Sequence, residues 1–170
     1  MARHDLNARS LRSCLGRFAT GVVIVTFDTP EGRRGITVNS FTSVSMDPPL
    51  VLVSVAKKAR SHDVLQGRPF CVNVLGAEQE AIARQFAGTG KGEAFWAEGA
   101  DVPRLAGVLA HLECRPWRHY EAGDHTLFLG EVVDFAYRDG AALGFHASSS
   151  APSGRTTGPP AESDDGGFRK

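Results

Sequence analysis

The sequence predicts a mainly β protein, a small closed barrel of about six strands with a few short helices packed over its ends. Six segments are rich in β-branched and other apolar residues, whereas only two segments have the periodicity of a helix. Strands do not alternate with helices, which argues against a Rossmann sheet. The chain has 170 residues, of which 42% are hydrophobic, and this is enough for one domain with a core.

Two segments have the spacing of amphipathic helices. The first has three apolar residues at i, i+4 and i+7, namely Leu11, Leu15 and Phe18. Asp5 or Asn7 is available as its N-cap. The second helix is predicted over residues 78–87 and ends at Gly88, as helices commonly end at glycine.

Six segments predict strands, and turn residues bound them. They are residues 21–27, 34–38, 50–55, 70–75, 108–115 and 125–133. The first two are expected to form a hairpin around the turn 29–32. Pro48-Pro49 marks the entrance of the third strand, because proline cannot donate to a ladder. A polar turn that ends in Gly123-Asp124 is expected to separate the last two strands.

The chain divides into a folded domain, residues 1–146, and a tail, residues 147–170. The tail contains twelve Gly, Pro or Ser residues and one large apolar residue, Phe168. Such a segment buries too little apolar surface to offset the entropy lost on ordering. We therefore expect the tail to be disordered.

Composition and charge exclude several classes of protein. Lys and Arg total 19, as do Asp and Glu, so no global charge favours nucleic acid or an anionic membrane. The N-terminus lacks the apolar core of a signal peptide, and no apolar run approaches the about 18 residues of a membrane span. Cys14, Cys71 and Cys114 have no metal-ligand spacing and predict buried free thiols. We therefore expect a cytoplasmic protein.

Two polar clusters are candidate ligand sites. The segment 35–45 offers many small donors and acceptors at a strand end, and it either binds a polar ligand or satisfies its own backbone as a turn. The segment 54–62 contains a Ser beside Lys and Arg at a predicted helix start, and it is either a phosphate-binding site or a solvated run of charges.

Three histidines are candidates for either a functional or a structural role: His62, His125 and His146. His125 opens an apolar strand after Gly123-Asp124, so its imidazole is expected at the barrel rim. No two histidines have the i, i+4 spacing of a metal site, and motifs such as GxSxG or Walker A are absent from the sequence. We therefore expect neither a metal nor a protein nucleophile.

Five segments in order, together, resemble one known family. They are residues 18–26, 35–45, 47–55, 70–75 and 123–132. The family is the flavin reductase-like FMN-binding domain, the short-chain reductase component of two-component flavin monooxygenases. The resemblance covers about residues 11–146.

This resemblance implies a six-stranded Greek-key split β-barrel of the FMN-binding type, with flanking helices, that forms a homodimer. It also implies an NAD(P)H:flavin oxidoreductase that passes hydride from NADH or NADPH to FMN or FAD. The reduced flavin would then diffuse to a monooxygenase component. Nucleic acid and membranes are not expected as partners.

The resemblance also implies which residues contact the flavin. The isoalloxazine ring is expected along residues 37–40, the phosphate and ribityl chain along residues 54–61, and His125 beside the flavin and nicotinamide as the catalytic residue. The implied cofactor-binding residues are Thr37, Val38, Asn39, Ser40, Ser54, Val55, Ala56, Arg60, Ser61, Lys91 and His146.

The C-terminal end departs from the family pattern. Family members tend to have a Tyr-His-x-Gly-x-Tyr segment there, whereas Phe145-His146 is followed here by Ala147 and three serines. Only the His matches, so one alternative is a flavin-binding protein without reductase turnover. A second alternative is a related split-barrel oxidase acting on pyridoxamine phosphate.

Overall fold

The computed structural model describes residues 5–97 and 101–147, which contain nine strands and three α-helices. The strands are β1 (Thr20–Gly21), β2 (Val23–Thr29), β3 (Gly32–Val38), β4 (Thr42–Met46), β5 (Pro49–Ala56), β6 (Phe70–Val74), β7 (Ala110–Ala122), β8 (His125–Tyr137) and β9 (Gly144–Phe145). The helices are α1 (Ala8–Leu15), α2 (His62–Leu65) and α3 (Glu80–Phe86), and a 3₁₀ turn at Ala77–Gln79 precedes α3.

Seven strands form one antiparallel sheet in the order β3-β2-β6-β7-β8-β5-β4. The mainly β class with few helices is therefore confirmed. Within the described residues the pairing leaves β3 and β4 as sheet edges and does not close a barrel. The sheet has seven strands rather than six, because β4 forms where the sequence analysis expected a polar segment at a strand end.

The main core shows that this sheet is strongly curled. Val25 of β2 and Val53 of β5 pack in one buried cluster, although β6, β7 and β8 lie between their strands in the sheet. A second cluster joins the opposite face of β2 to α3 through Ile24 and Ile82. Strand β2 is therefore covered on both faces, which explains its nearly continuous apolar sequence.

The hairpin of β7 and β8 is longer than the sequence predicts. The expected polar turn between residues 115 and 125 is wrong, because residues 116–122 continue β7 and pair with β8. Only Gly123-Asp124 remains as the turn. Gly123 has a φ of +64°, and a glycine at this first position is typical of a type II′ turn.

The N-terminal helix is confirmed, but its environment differs from that of a packed amphipathic helix. Asn7 is the N-cap, and its Oδ1 accepts a hydrogen bond of 2.9 Å from the Ser10 N–H. No residue of α1 is buried, and Leu11, Leu15 and the following Phe18 are exposed. The second predicted helix is also confirmed, although α3 begins two residues later than expected, after the 3₁₀ turn.

The three cysteines are free, and two of them are buried as predicted. Burial raises the pKa of Cys71 and of Cys114 to about 12. Cys14 is exposed on α1, so the expectation of burial is wrong for this thiol.

The described helices include none with the length and apolar character needed to cross a bilayer. Apart from Ala147, the predicted tail lies outside the described residues.

Candidate functional site

Ser40 connects the chain after β3 to the C-terminal end of β5. Its Oγ donates a hydrogen bond of 2.8 Å to the Ser54 carbonyl and accepts one of 3.0 Å from the Ser54 N–H. The pairing of β4 with β5 has ended before this point, since its last pair is Thr42 with Leu52. The two predicted segments, 37–40 and 54–56, are thus in direct contact.

His125 lies beside the same part of β5. It pairs with Ala56 in the ladder between β8 and β5, and Leu127 pairs with Ser54. Cross-strand partners share a face of the sheet, as do residues two apart. His125, Ala56 and Ser54 therefore share one face, while Val55 is buried in the core on the other.

The His125 imidazole is held by its neighbour in sequence. Nδ1 lies 2.7 Å from Oδ1 of Asp124, and 42% of the His125 side chain is exposed. This hydrogen bond lowers the pKa of the Asp124 carboxyl below its ordinary value, with a further contribution from the charge of the imidazole. With Nδ1 occupied, Nε2 is the ring nitrogen of His125 that is left for a ligand.

The turn after β5 carries Arg60 and Ser61 and is fixed to the same hairpin. The Lys57 N–H donates to the Asp124 carbonyl over 2.9 Å, and the Ala59 N–H donates to the Ala56 carbonyl. Within the described residues, Arg60 has no ion pair and the backbone N–H groups of Arg60 and Ser61 make no hydrogen bond. Ser61 occupies the N-cap position of α2 without a side-chain cap bond. These groups are available to an anion.

The segment 37–39 has three different environments. The Thr37 hydroxyl donates to the Ala83 carbonyl of α3 over 2.7 Å, so only its lone pairs remain for a ligand. Val38 packs against the main core, and Asn39 is exposed. Within residues 37–40, Asn39 thus has a polar side chain exposed to solvent, and Ser40 has one in contact with β5.

Two predicted residues are not joined to this group by any described contact. Lys91 is exposed in the loop after α3, where the flanking Gly90 and Gly92 lie against α3. His146 is exposed after β9, and the next residue, Ala147, donates its N–H to the Gly16 carbonyl near α1. Their roles as flavin contacts stay predictions.

A second polar cluster lies on β7 and β8. The possible ligand atoms of His111, Glu113 and Asp134 lie within 4.8 Å of one another. A guanidinium N–H of Arg104 lies 3.0 Å from His111 Nε2 and 3.6 Å from a Glu113 oxygen. Because this cation already neutralises the buried carboxylate, we assign no metal to the cluster.

The geometry around Ser40, Ser54, Arg60 and His125 suits the binding and orientation of a ligand. It combines small hydroxyl groups, free backbone N–H groups, an unpaired cation and one imidazole at one end of the curled sheet. Such groups fix an anionic ligand that brings its own reactive centre.

Comparison with known protein families shows the family to which this chain is related. The model of the flavin reductase like domain matches residues 15–153 of the chain. The chain belongs to this family. The resemblance found in the sequence is therefore confirmed.

Curated flavin reductases are similar to this family member over most of its length. The FMN reductase (NADH) SmoA of Agrobacterium fabrum is 47% identical over 145 residues, which is 82% of each chain. The reductase component of 4-hydroxyphenylacetate 3-monooxygenase from Thermus thermophilus is 39% identical over 74% of this chain and 82% of its own. In a solved structure, the NADH:FAD oxidoreductase SgcE6 of Streptomyces globisporus is complexed with NAD and FAD fragments. It aligns with a TM-score of 0.80 and 39% identity over 95% of this chain and 100% of its own.

Sequence reasoning did not identify the role of one buried histidine near this group. His62 ends the predicted phosphate-binding segment 54–62 and is one of the three candidate histidines, but neither observation indicates that it is buried and contacts Thr126, which directly follows His125. The two residues are 64 positions apart, so no local spacing could reveal the contact. The only available signal was a histidine directly after the predicted anion-binding residues.

Proposed function

We propose that this chain is an NAD(P)H-dependent flavin reductase that transfers hydride from the nicotinamide to FMN or FAD and supplies reduced flavin to a partner monooxygenase. Family membership supports the reaction, since relatives are named as NADH-dependent FMN and FAD reductases. The partner is supported by relatives named as reductase components of monooxygenases. The observation that carries the proposal is the direct contact of Ser40 with Ser54 beside His125 and the unpaired Arg60.

The residues at this end of the sheet fit a flavin phosphate and an isoalloxazine ring. Arg60 and the free N–H groups of Arg60 and Ser61 would hold the phosphate, while Asn39 and Ser40 would hydrogen-bond the ring edge. The flavin, when bound, supplies the redox chemistry by accepting hydride at N5. His125 would orient the nicotinamide over the ring through its free Nε2.

We also propose the finer architecture that the resemblance implies. A Greek-key split barrel is supported by the shared core of β2 and β5, which a flat sheet would not have. A homodimer is supported by the exposed apolar side chains of α1. The cytoplasmic location rests on the sequence composition and stays a prediction.

Anaerobic reduction tests the proposed reaction. The protein is loaded with FMN, FAD or riboflavin in turn, and the loss of flavin absorbance is followed after addition of NADH or NADPH. Bleaching with either nicotinamide is expected. A bound flavin that neither nicotinamide bleaches would favour the alternative of a flavin-binding protein without turnover, and formation of pyridoxal phosphate would favour the oxidase.

Arg60→Ala tests the phosphate site. Because FMN carries a phosphate and riboflavin does not, the variant is expected to weaken FMN by about 10-fold, the effect of one lost hydrogen bond to a charged group. Riboflavin affinity should change little. Fluorescence titration measures both dissociation constants, and Arg34→Ala, an exposed arginine nearer the other end of β3, is the matched control. Equal losses for both ligands would remove Arg60 from the phosphate site.

A further inference from the structure

His62 connects the turn after β5 to the hairpin of β7 and β8. Only 6% of the residue is exposed. Its Nε2 lies 2.8 Å from the Thr126 hydroxyl, and its Nδ1 lies 2.7 Å from an Asp63 carboxylate oxygen. Its ring also packs edge-on against Phe128, at 5.7 Å between centroids. These three contacts together fix the orientation of the imidazole ring.

Thr126 extends this contact across the hairpin. It is fully buried in β8, opposite Val55 in β5 and opposite Glu121 in β7. Its hydroxyl lies 3.3 Å from a Glu121 carboxylate oxygen, and Glu121 in turn forms an ion pair with Lys57. A continuous series of polar contacts therefore joins residues 57–63 to the end of the hairpin.

Few of the groups in this series of contacts can donate a hydrogen bond. The ionised Asp63 carboxylate only accepts, so Nδ1 of His62 carries the proton that it receives. The Thr126 hydroxyl carries one proton and lies within hydrogen-bond distance of both His62 Nε2 and the Glu121 carboxylate. The Asp63 contact orients the His62 ring so that Nε2 faces this hydroxyl.

His62 and Thr126 each directly follow residues of the proposed site in the sequence. Arg60 and Ser61 immediately precede His62, and His125 immediately precedes Thr126. The strand ladder fixes His125 against Ala56, but the residues 57–61 leave the ladder after Ala56. The contact of His62 with Thr126 is thus a further attachment of the turn, beyond the Lys57 N–H bond to Asp124 and the ion pair of Lys57 with Glu121.

We propose that His62 and Thr126 are positioning residues that fix the phosphate-binding turn, residues 57–61, relative to His125. The inference rests on the proposed flavin reductase function. Neither side chain touches the flavin in this proposal. Their hydrogen bond sets the distance between the groups that hold the phosphate and the face on which the ring and nicotinamide lie.

Thr126→Val is the principal test, because valine keeps the shape and strand preference of threonine and removes only the hydroxyl. FMN affinity is expected to fall about 5- to 20-fold, while riboflavin affinity changes less than about twofold, since riboflavin does not need the phosphate turn. Thr126→Ser keeps a hydroxyl and is expected to restore the wild-type ratio of the two affinities.

Thr26→Val is the matched control. Thr26 is also fully buried in a strand, and its hydroxyl bonds to the Pro103 carbonyl and to the Asn73 amide, among residues that the site does not include. This variant should lower stability to a similar degree and leave the ratio of FMN to riboflavin affinity unchanged. A purely structural role for Thr126 would make the two valine variants alike.

His62→Phe gives an independent measurement, because phenylalanine fills the space and keeps the ring contact with Phe128. The single variant is expected to reproduce the loss of FMN affinity, and the double variant with Thr126→Val is expected to lose no more than either single variant. Additive losses would show that the two side chains act separately and would overturn the inference.

The outcome also separates this inference from the proposed function. If Arg60→Ala weakens FMN selectively and NADH bleaches the wild type, but Thr126→Val matches Thr26→Val, only the positioning inference fails. If the wild type is not bleached by either nicotinamide, the proposed reaction fails while the affinity ratios still report on the turn. If either Thr126→Val or His62→Phe fails to fold, the other variant still tests the positioning inference.

Discussion

The most informative single residue is His125, because its position follows from the hairpin rather than from its own chemistry. The two-residue turn at Gly123-Asp124 begins β8 at His125, and the ladder then fixes its partner as Ala56. Asp124 holds Nδ1, so the side chain presents Nε2 on the face shared with Ser54. One turn thus fixes both the position and the orientation of this imidazole.

His125→Ala is expected to slow hydride transfer more than it weakens flavin binding. One positioned hydrogen bond changes a transfer rate by roughly 10- to 1000-fold. The anaerobic bleaching rate at saturating NADH should fall within that range, while the flavin dissociation constant changes by less than about threefold. Stopped-flow absorbance and fluorescence titration measure the two quantities.

A neighbouring histidine provides the control for this variant. His119 is exposed on β7 of the same hairpin, so His119→Ala should leave the bleaching rate unchanged. If His125 only supports the turn, its alanine variant would melt at a lower temperature and bleach at the wild-type rate once loaded with flavin. That result would remove His125 from the active site.

At the scale of elements, the sheet depends on a close approach at Gly130. This glycine of β8 pairs with Val51 of β5 and Pro116 of β7. A Cβ placed on it would lie 2.5 Å from the Phe70 ring and 2.7 Å from the Cys114 Cβ, both in the main core. No ordinary contact is that short, so a side chain here must displace core atoms.

Gly130→Ala is therefore expected to lower the free energy of unfolding by about 1–3 kcal/mol, the usual cost of overpacking a core. Urea denaturation measures this change. Gly21→Ala is the control, because a Cβ there meets no atom within 4 Å, and it should change stability by less than about 0.5 kcal/mol. Equal stability of both variants would show that the core yields at β8 without cost.

The sequence predicted those elements whose apolar side chains indicate that they are buried. The apolar runs of β2, β5 and β6 were predicted closely, because core strands need apolar side chains on at least one face. Residues 116–122 were missed as strand since their side chains are exposed, and pairing with β8 alone makes them extended. The contact of Ser40 with Ser54 was likewise inaccessible, since it depends on how the sheet curls.

At the scale of the molecule, α1 is a helix without a buried face. Leu15 is 65% exposed and Phe18 is 77% exposed, and Met46 of β4 is also exposed. Exposed apolar side chains of this kind are typical of a subunit interface. We therefore place the contact of the proposed homodimer at these residues.

Sedimentation equilibrium is expected to give twice the mass of one chain. Phe18→Glu places a charge on the exposed apolar surface and should shift the protein towards the monomer, whereas Arg9→Glu on the preceding helix α1 changes charge without removing apolar area. Flavin reduction measured on the same samples completes the test. A monomer that reduces flavin at the full rate would contradict the proposed homodimer.

The Ser40 hydroxyl has a consequence for self-association. An unpaired strand edge presents N–H and C=O groups that another chain can bind, which leads to aggregation. Beyond Leu52, β5 has lost its partner β4, and the Ser40 hydroxyl alone occupies both the donor and the acceptor of Ser54. The backbone of residues 39–41 is thus spared from strand pairing, and the protein keeps an open strand end beside the proposed ligand-binding groups without offering the Ser54 backbone to a neighbouring chain.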